Sequence, residues 1–370
     1  MNIAYDAKRY FLNKTGLGNY SRDLIRILET YYPENNYIKY TTKIEGANFD
    51  SENLQKNTRL PHGFINKTLP SLWRNSTIIK DLLHDKIDIY HGLSGEIPIN
   101  LHKTSIKSVT TIHDLIFIRF PELYKPIDRY IYNQKAKHAV FHSDKIIAIS
   151  QQTKSDLLNT YQISEDKVEV IYQTCHPAFK TQKTKEQQDT IRAKYNLPDN
   201  FILNVGTIEP RKNAFQIVKA IEQLDISLII IGRKTNYARE IIEFIEKKGM
   251  TNRVLFMEGL SMDELATIYT MADLFIYPSK FEGFGIPIIE ALYSGLPVIT
   301  SNSGVFPEAG GPSSCYINPE DIGDIQFTIE SILSSDSTRK EMISKGLEYV
   351  RRFDEDHIAN QLIQCYKNLL

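Results

Sequence analysis

Phe281-Glu282-Gly283-Phe284-Gly285-Ile286-Pro287-Ile288-Ile289-Glu290-Ala291-Leu292 directly follows an apolar, strand-like run, Ala272-Asp273-Leu274-Phe275-Ile276-Tyr277-Pro278. That order predicts a strand, a glycine-rich loop and a helix, with Pro287 in the first helical turn where its missing N–H costs nothing. A loop of this kind points backbone N–H groups at whatever lies above the sheet, and the helix dipole favours an anion there. Glu282 falls in the loop and Glu290 about one turn into the helix, both near the same pocket. Carboxylates are poor partners for phosphate. They are good partners for hydroxyls flanking a phosphate, such as those of a sugar and a ribose, so the stretch implies a nucleotide-sugar site.

Working outward, 370 residues are too many for one ordinary core and imply two domains. With 42% apolar and 24% charged residues the composition is that of a globular protein, and a net charge of −1 gives no support for nucleic-acid binding. The start, Met1-Asn2-Ile3-Ala4-Tyr5-Asp6, reads as a first strand and not as a signal peptide, and no run is long enough to span a membrane. Cys175, Cys315 and Cys365 are too few and too scattered for a disulfide framework or a zinc site, and are expected as buried reduced thiols in a cytoplasmic protein.

β-Branched runs alternate with helical patterns along the whole chain, the signature of parallel α/β layers. Strands are expected near Asn2–Tyr5, Ile87–His91, Ser108–Ile112 and Lys145–Ile149, then near Phe201–Val205, Ser227–Ile231, Val254–Phe256, Leu274–Tyr277 and Pro297–Thr300. Lys180 to Asp189 contains no apolar residue and reads as the linker. This gives a first domain over 1–180, a second over 181–350, and a closing amphipathic helix in 351–370 with Ile358, Leu362, Cys365 and Tyr366 on one face.

Beside the Glu282–Glu290 stretch, the second domain opens with Gly206-Thr207-Ile208-Glu209-Pro210-Arg211-Lys212-Asn213 directly after a strand. Parallel sheets bind ligands beyond the carboxyl ends of their strands, where Arg211 offers a fork and Lys212 a point charge to a diphosphate. In the first domain, Thr15-Gly16-Leu17-Gly18-Asn19-Tyr20-Ser21 precedes a helical pattern at Leu24–Leu28 and reads as a loop whose backbone can approach a phosphate or sugar. It is a near miss of the dinucleotide fingerprint and lies too far from the first strand, which argues against a nicotinamide or flavin enzyme. His113 and Asp114 close a strand, so His113 is expected in the cleft between domains and Asp114 at its loop or against an acceptor; His91 is a weaker candidate of the same kind. His138 and His142 lie four apart without an acidic or cysteine partner and read as surface or packing residues. Asp354-Glu355-Asp356 reads as a helix N-cap with acidic first-turn residues, so no metal site is expected. Tyr124, Lys125, Arg129, Tyr130 and Tyr132 form a basic, aromatic stretch with three readings: a glycan contact, a membrane-surface contact, or a solvent face over a core helix.

Taken together these residues resemble the large retaining glycosyltransferase family, family four, that contains bacterial polysaccharide mannosyltransferases. The likeness covers nearly the whole chain and is sharpest from Glu282 to Glu290 and on to Gly295-Leu296-Pro297-Val298-Ile299. It implies a GT-B fold, two Rossmann-like domains facing each other across a cleft, with the last helix crossing back to the first. It places Glu282 on the transferred sugar, Glu290 on the ribose hydroxyls, and Gly283, Phe284, Gly285 and Ile286 with Gly206 and Thr207 around the sugar and diphosphate. Lys212 matches the family's diphosphate lysine. Where many relatives carry the companion arginine this chain has Thr207, and Arg211 takes that role. Gly16, Leu17, Gly18, Asn19, His113 and Asp114 match groups facing the acceptor and the reacting sugar.

The resemblance implies retention, by front-face substitution in which the leaving phosphate accepts the acceptor's proton. Lys212, Arg211 and the loop N–H groups would stabilise the departing diphosphate in place of a metal ion. Donors expected from the likeness are guanosine diphosphate mannose first and uridine diphosphate sugars second; the acceptor is a glycan or lipid-linked glycan, with a peripheral contact to the inner face of the cell membrane. The competing readings are a sugar-nucleotide epimerase or hydrolase, and an inactive nucleotide-sugar-binding module.

Overall fold

The computed structural model describes residues 1–13, 15–45 and 57–370. The chain divides into two compact units, Met1–Gln173 with Glu355–Leu370, and Thr174–Asp354. Each is built on one parallel sheet.

The first unit's sheet has strands β1 (Asn2–Asp6), β2 (Asn36–Tyr40), β3 (Thr58–Arg59), β4 (Ile89–Gly92), β5 (Lys107–Ile112), β6 (Lys145–Ala148) and β7 (Val168–Val170), in the order β3-β2-β1-β4-β5-β6-β7. The second unit's sheet has β8 (Phe201–Val205), β9 (Ser227–Ile231), β10 (Val254–Met257), β11 (Leu274–Tyr277), β12 (Val298–Ser301) and β13 (Cys315–Ile317), in the order β10-β9-β8-β11-β12-β13. Helices cover both faces of such sheets, so the central strands read as continuous apolar runs; Leu228, Ile229 and Ile230 are fully buried in β9. Strands β2, β3, β7 and β13 escape the sequence pattern. Three of them are short edge strands, and β2 carries Asn36 and Lys39, whose ammonium is buried only because it pairs with Glu29 at 2.6 Å.

In both sheets the order reverses once, between β1 and β4 in the first and between β8 and β11 in the second. Chains leaving the two strands at such a point diverge and open a crevice at their carboxyl ends. In the first unit that crevice holds a buried ion network: Arg74 donates to both Asp6 oxygens through Nε at 3.0 Å and to Glu96 at 2.6 Å, and Lys135 reaches Glu96 at 3.2 Å.

Two expectations are corrected. The stretch from Thr15 to Ser21 is not a free loop: helix α1 (Gly16–Tyr31) already begins there with Thr15 as its cap. The Asn13 side chain accepts from the Thr15 and Gly18 N–H groups at 2.8 and 3.2 Å, and a Cβ on Gly18 would fall 1.8 Å from the Asn13 carbonyl oxygen. Gly18 is therefore demanded by packing. The polar run from Lys180 to Asp189 is likewise only partly a connector, because a capping box between Thr184 and Gln187 starts a helix over Lys185–Tyr195. The C-terminal helix (Glu355–Lys367) packs on α1, where Arg26 forks Glu355 with two 2.9 Å bonds and Tyr32 donates to Asn360 at 3.1 Å. Its Ile358, Leu362, Cys365 and Tyr366 are buried.

Replacing Arg74 strands the Asp6 carboxylate, which is 4% exposed, without a counter-charge. Arg74→Ala is expected to destabilise the protein by about 3–5 kcal/mol in urea denaturation, the range for removing one partner of a buried pair. A loss below about 1 kcal/mol would show that the network carries no more than a surface pair does.

Candidate active site

The crevice between β8 and β11 gathers the second unit's candidate residues. The Arg211 and Lys212 pair sits in a single 3-10 turn, Pro210–Lys212, just beyond β8, while β11 runs out through Pro278 and Ser279 into the Glu282 loop. Register locks the strands, with Leu203 opposite Phe275, and the Asn204 amide donates to the Ile276 carbonyl at 2.8 Å. The helix after the loop, Ile286–Tyr293, starts on Gly285, whose φ of 112° is a conformation other residues rarely adopt. Phe284 points the other way: its ring is buried against Phe353 at 5.4 Å and anchors the loop.

Glu282 is the hub. Its Oε1 accepts from Lys212 at 2.5 Å, Arg211 at 2.8 Å, Ser279 at 2.7 Å and Tyr277 at 3.1 Å. Oε2 takes no partner among the described residues, so one oxygen is fixed by protein and the other is open. Burial pushes the Glu282 carboxyl up, but Lys212 and then Arg211 more than offset this and hold it down at about 2. Lys212 is lowered, by burial first and by Arg211 as well, with Glu282 opposing both. A second anion near Lys212 would therefore be welcome. Arg211 is further held by Glu209 at 2.7 Å and donates to the Phe281 carbonyl. Lys212 also donates to the Tyr277 hydroxyl, and its ammonium lies 4.9 Å from that ring's centre. Gly206 lies against this pair, with Lys212 and Tyr277 side chains 3.7 and 3.8 Å from where its Cβ would be. Thr207 is half-buried beside it. Glu290 is buried one turn into the helix and accepts from Tyr269 at 3.1 Å.

In the first unit, Leu17, His113 and Asp114 line one cavity of about 270 Å³ together with Arg9, Glu96, Tyr124, Tyr132 and Lys135. Gly16, Gly18 and Asn19 do not line it; Asn19 accepts from Arg22 at 2.6 Å. Asp114 accepts from the Ile116 N–H at 3.0 Å and so shapes its own loop. The His113 Nε2 donates to the Leu93 carbonyl at 2.9 Å, and its ring meets the edge of Tyr20 at 4.6 Å. Burial lowers it to about 4, so at neutral pH the ring is uncharged, with its proton on Nε2 and the Nδ1 lone pair available. His91 has no such freedom. It is fully buried, bonded to Tyr366 at 2.7 Å and Thr111 at 2.8 Å, and burial lowers it to about 3.

A larger cavity, about 610 Å³, is lined by Phe117, Arg129, Tyr130, Lys137, Phe141 and Tyr161 among others. It flanks the helix Pro126–His142, which leaves Ile127, Tyr130, Ile131 and Phe141 exposed. His138 and His142 on that helix pack with His102, ring centres 4.5 Å apart for each contact with His142. No group of three or more His, Cys, Asp or Glu among the described residues is placed to hold a metal ion, and no helix there is long and apolar enough to cross a membrane.

The residues that sequence reasoning passed over are those that hold the others: Tyr277, Ser279 and Tyr269 in the second unit, and Arg9, Asp6, Arg74 and Glu96 in the first. The only available signal was position, since Tyr277-Pro278-Ser279 leads directly from the strand into the Glu282 loop.

Two Rossmann-like units, each with a topological switch point in its parallel sheet, are the architecture of the GT-B glycosyltransferases. Solved structures agree in fold: HepE from Anabaena, crystallised with UDP and glucose, superposes with a TM-score of 0.78 over 100% of both chains at 17% identity. Residues 38–177 match "Glycosyltransferase Family 4" and residues 187–349 match "Glycosyl transferases group 1". The chain therefore belongs to glycosyltransferase family 4. Among curated relatives, it is 28% identical over 96% of both chains to O-antigen chain mannosyltransferase B of Escherichia coli. It is also 30% identical over 76% of its length to the serotype-specific mannosyltransferase WbdA of the same species, of which it spans 36%.

The histidine burial has a consequence for pH. Above about pH 6.5 both His91 and His113 are neutral folded or unfolded, and the fold keeps its full stability. As pH falls from 6.5 through 4 towards 3, the unfolded chain takes up protons that the folded one refuses, so stability drops by up to about 1.4 kcal/mol per pH unit per group. Glu282 adds its loss only lower, between 4.5 and about 2. Urea denaturation at pH 7.5, 5.5 and 4.5 is expected to show this slope, made shallower in His91→Gln. Parallel slopes in the two proteins would contradict it.

Proposed function

We propose that this glycosyltransferase moves a hexose, mannose first, from a nucleoside diphosphate sugar to a glycan or lipid-linked acceptor in surface polysaccharide synthesis, with retention of configuration and without a metal ion. The observation that carries the reading is the state of Glu282: one oxygen saturated by buried donors, the other open. An open, fixed carboxylate oxygen suits a sugar hydroxyl, and Lys212 and Arg211 beside it suit the diphosphate. Glu290 takes the ribose hydroxyls, and the Gly283–Ile286 backbone, with Gly206 and Thr207, the rest of the donor. Guanosine diphosphate mannose is the first donor because the two Escherichia coli relatives are named mannosyltransferases; uridine diphosphate sugars come second, HepE having been crystallised with UDP.

When the glycosyl–phosphate bond breaks, negative charge grows on the departing diphosphate while Lys212 and Arg211 already stand in place, so little reorganisation accompanies the step. As its bond to the anomeric carbon breaks, the leaving phosphate oxygen takes the acceptor hydroxyl's proton, and the acceptor oxygen bonds to that carbon on the same face. Glu282, locked in ion pairs, orients the sugar and is not the nucleophile. Its carboxyl, held at about 2, is also a poor proton donor, which disfavours glycosidase-like acid catalysis. In the first unit, neutral His113 offers Nδ1 to a hydroxyl of the reacting sugar. Leu17 and Asp114 face the acceptor with it, and Gly16, Gly18 and Asn19 form the helix start behind them.

Glu290→Ala is expected to weaken donor binding in calorimetry, while Glu282→Ala lowers transfer by at least about tenfold, the equivalent of 1.4 kcal/mol, with a smaller change in nucleotide affinity. Initial rates with guanosine diphosphate mannose are expected to persist in EDTA. Wild-type binding and rates in both variants would sink the site assignment, and activity abolished by EDTA and restored by manganese would sink metal independence. Rapid donor turnover without acceptor would point to a hydrolase instead.

A peripheral contact at the inner face of the membrane, in a cytoplasmic protein, is supported by the exposed Ile127, Tyr130, Ile131 and Phe141 beside Arg129 and Lys137. Co-sedimentation with vesicles containing phosphatidylglycerol is expected to exceed that with phosphatidylcholine alone and to fall in a Tyr130→Ser, Phe141→Ser double variant. Equal recovery in the supernatant with both lipids would refute the contact.

A further inference from the structure

The two glutamates are held by two tyrosines that belong to a single aromatic stack. Tyr269 ends the helix Met262–Tyr269, and Phe275 and Tyr277 lie on β11. Ring centres of Tyr269 and Phe275 are 5.4 Å apart with planes at 29°, and those of Phe275 and Tyr277 are 6.0 Å apart at 17°. The stack is closed at both ends, Phe179 meeting Tyr269 edge-on at 5.2 Å and Phe306 meeting Tyr277 at 6.4 Å. All three stacked side chains are essentially inaccessible to water. A buried phenol must spend its O–H on a partner. Here the outer two spend theirs on the two carboxylates, each at 3.1 Å.

We propose that Tyr277 and Tyr269 are positioning residues for sugar transfer, Tyr277 aiming the Glu282 carboxylate and Tyr269 the Glu290 carboxylate from one rigid stack. The inference rests on the reading that Glu282 meets the transferred sugar and Glu290 the ribose. Three features favour aiming over mere packing. Tyr277 touches both charges of the central pair, accepting from Lys212 while donating to Glu282, so it fixes the cation and the carboxylate relative to each other. Its O–H lands on the same oxygen as Ser279, Lys212 and Arg211, which turns Oε2 outward. Finally, the rings cannot rotate out of the stack without opening the core beneath β11, so the spacing between the two carboxylates is set by ring-to-ring contact. A loop alone would leave that spacing loose, and transfer chemistry is sensitive to sub-ångström placement.

The test uses Tyr277→Phe and Tyr269→Phe, which keep the rings and remove only the hydroxyls. With guanosine diphosphate mannose and a mannose-terminated oligosaccharide, Tyr277→Phe is expected to lower kcat about tenfold or more with donor KM within about twofold. Tyr269→Phe is expected to raise donor KM by about tenfold with kcat little changed. Each effect is expected to vanish when the tyrosine is changed in a background already carrying its own glutamate's Gln variant, Glu282→Gln or Glu290→Gln, and to persist in the other background. Thermal melts of all variants accompany the kinetics; a melt shift alone, with wild-type kcat and KM, assigns the tyrosines to packing and overturns the proposal. So does an effect that is additive with the matching glutamate variant. If Glu282→Gln and Glu290→Gln themselves leave transfer and donor affinity at wild-type values, the reading of the glutamates fails first. The two failures are thereby distinguished.

Discussion

The second unit is organised around one electrostatic problem: a carboxylate largely withdrawn from water with two cations each within 3 Å of it, at the end of a parallel sheet. Such a cluster costs desolvation that its own attraction barely repays, and it persists only if further donors saturate it and the surrounding structure leaves it no other arrangement. Both conditions are met by main elements of the fold. Tyr277 and Ser279 come from the end of β11, Arg211 and Lys212 from the turn after β8, and the parallel pairing of β8 with β11 brings those ends together. The cluster is thus a product of strand order as much as of sequence.

The corresponding point of the first sheet solves the same problem with the opposite outcome. There one guanidinium, Arg74, is shared by two carboxylates, Asp6 and Glu96, with Lys135 at the rim. Its Asp6 end is closed off by Arg74, while Glu96 and Lys135 reach the wall of the neighbouring cavity. The cavity beside it adds an uncharged histidine, two tyrosines, Arg9 and Asp114 to the Glu96 and Lys135 of the network. One unit gathers its charges into a single buried cluster; the other mixes paired charges of both signs with aromatic rings and a neutral imidazole.

Much of this was legible. The run Ser227–Ile231 declares a buried parallel strand by composition alone, and the Gly-x-Gly-x-Pro pattern between Glu282 and Glu290 declares a strand-to-helix crossover. What stayed hidden falls into three physical classes. Edge strands such as Val168–Val170 and Cys315–Ile317 bury too little surface to show a periodic apolar signal. Local chemistry overruled composition at Thr184, where a capping box starts a helix in a stretch without apolar residues, and at Gly18, where a close approach to Asn13 puts glycine inside a helix. Third, some of the residues that support the sites lie far from their partners in sequence. Arg74 and Tyr269 meet Asp6 and Glu290 only after the chain has crossed between elements, and single-chain patterns carry no trace of such pairings.

On the proposed reading, the arrangement also accounts for a division of labour between the two glutamates. They are one helical turn and a loop apart, on backbone that would otherwise be free to shift, yet their partners are different in kind. Glu282 is balanced by full charges and is therefore locked as a carboxylate down to low pH; Glu290 accepts from a neutral phenol deep in the core. A carboxylate already neutralised by protein cations attracts a sugar hydroxyl by geometry more than by charge. On the proposed front-face route it would orient a ring on which positive charge is developing without collapsing onto it. Even beside Glu282, Lys212 remains disfavoured in its charged form by burial and by Arg211. On the proposed reading a diphosphate arriving beside it relieves that strain, so donor binding and charge stabilisation in the transfer step draw on the same ammonium.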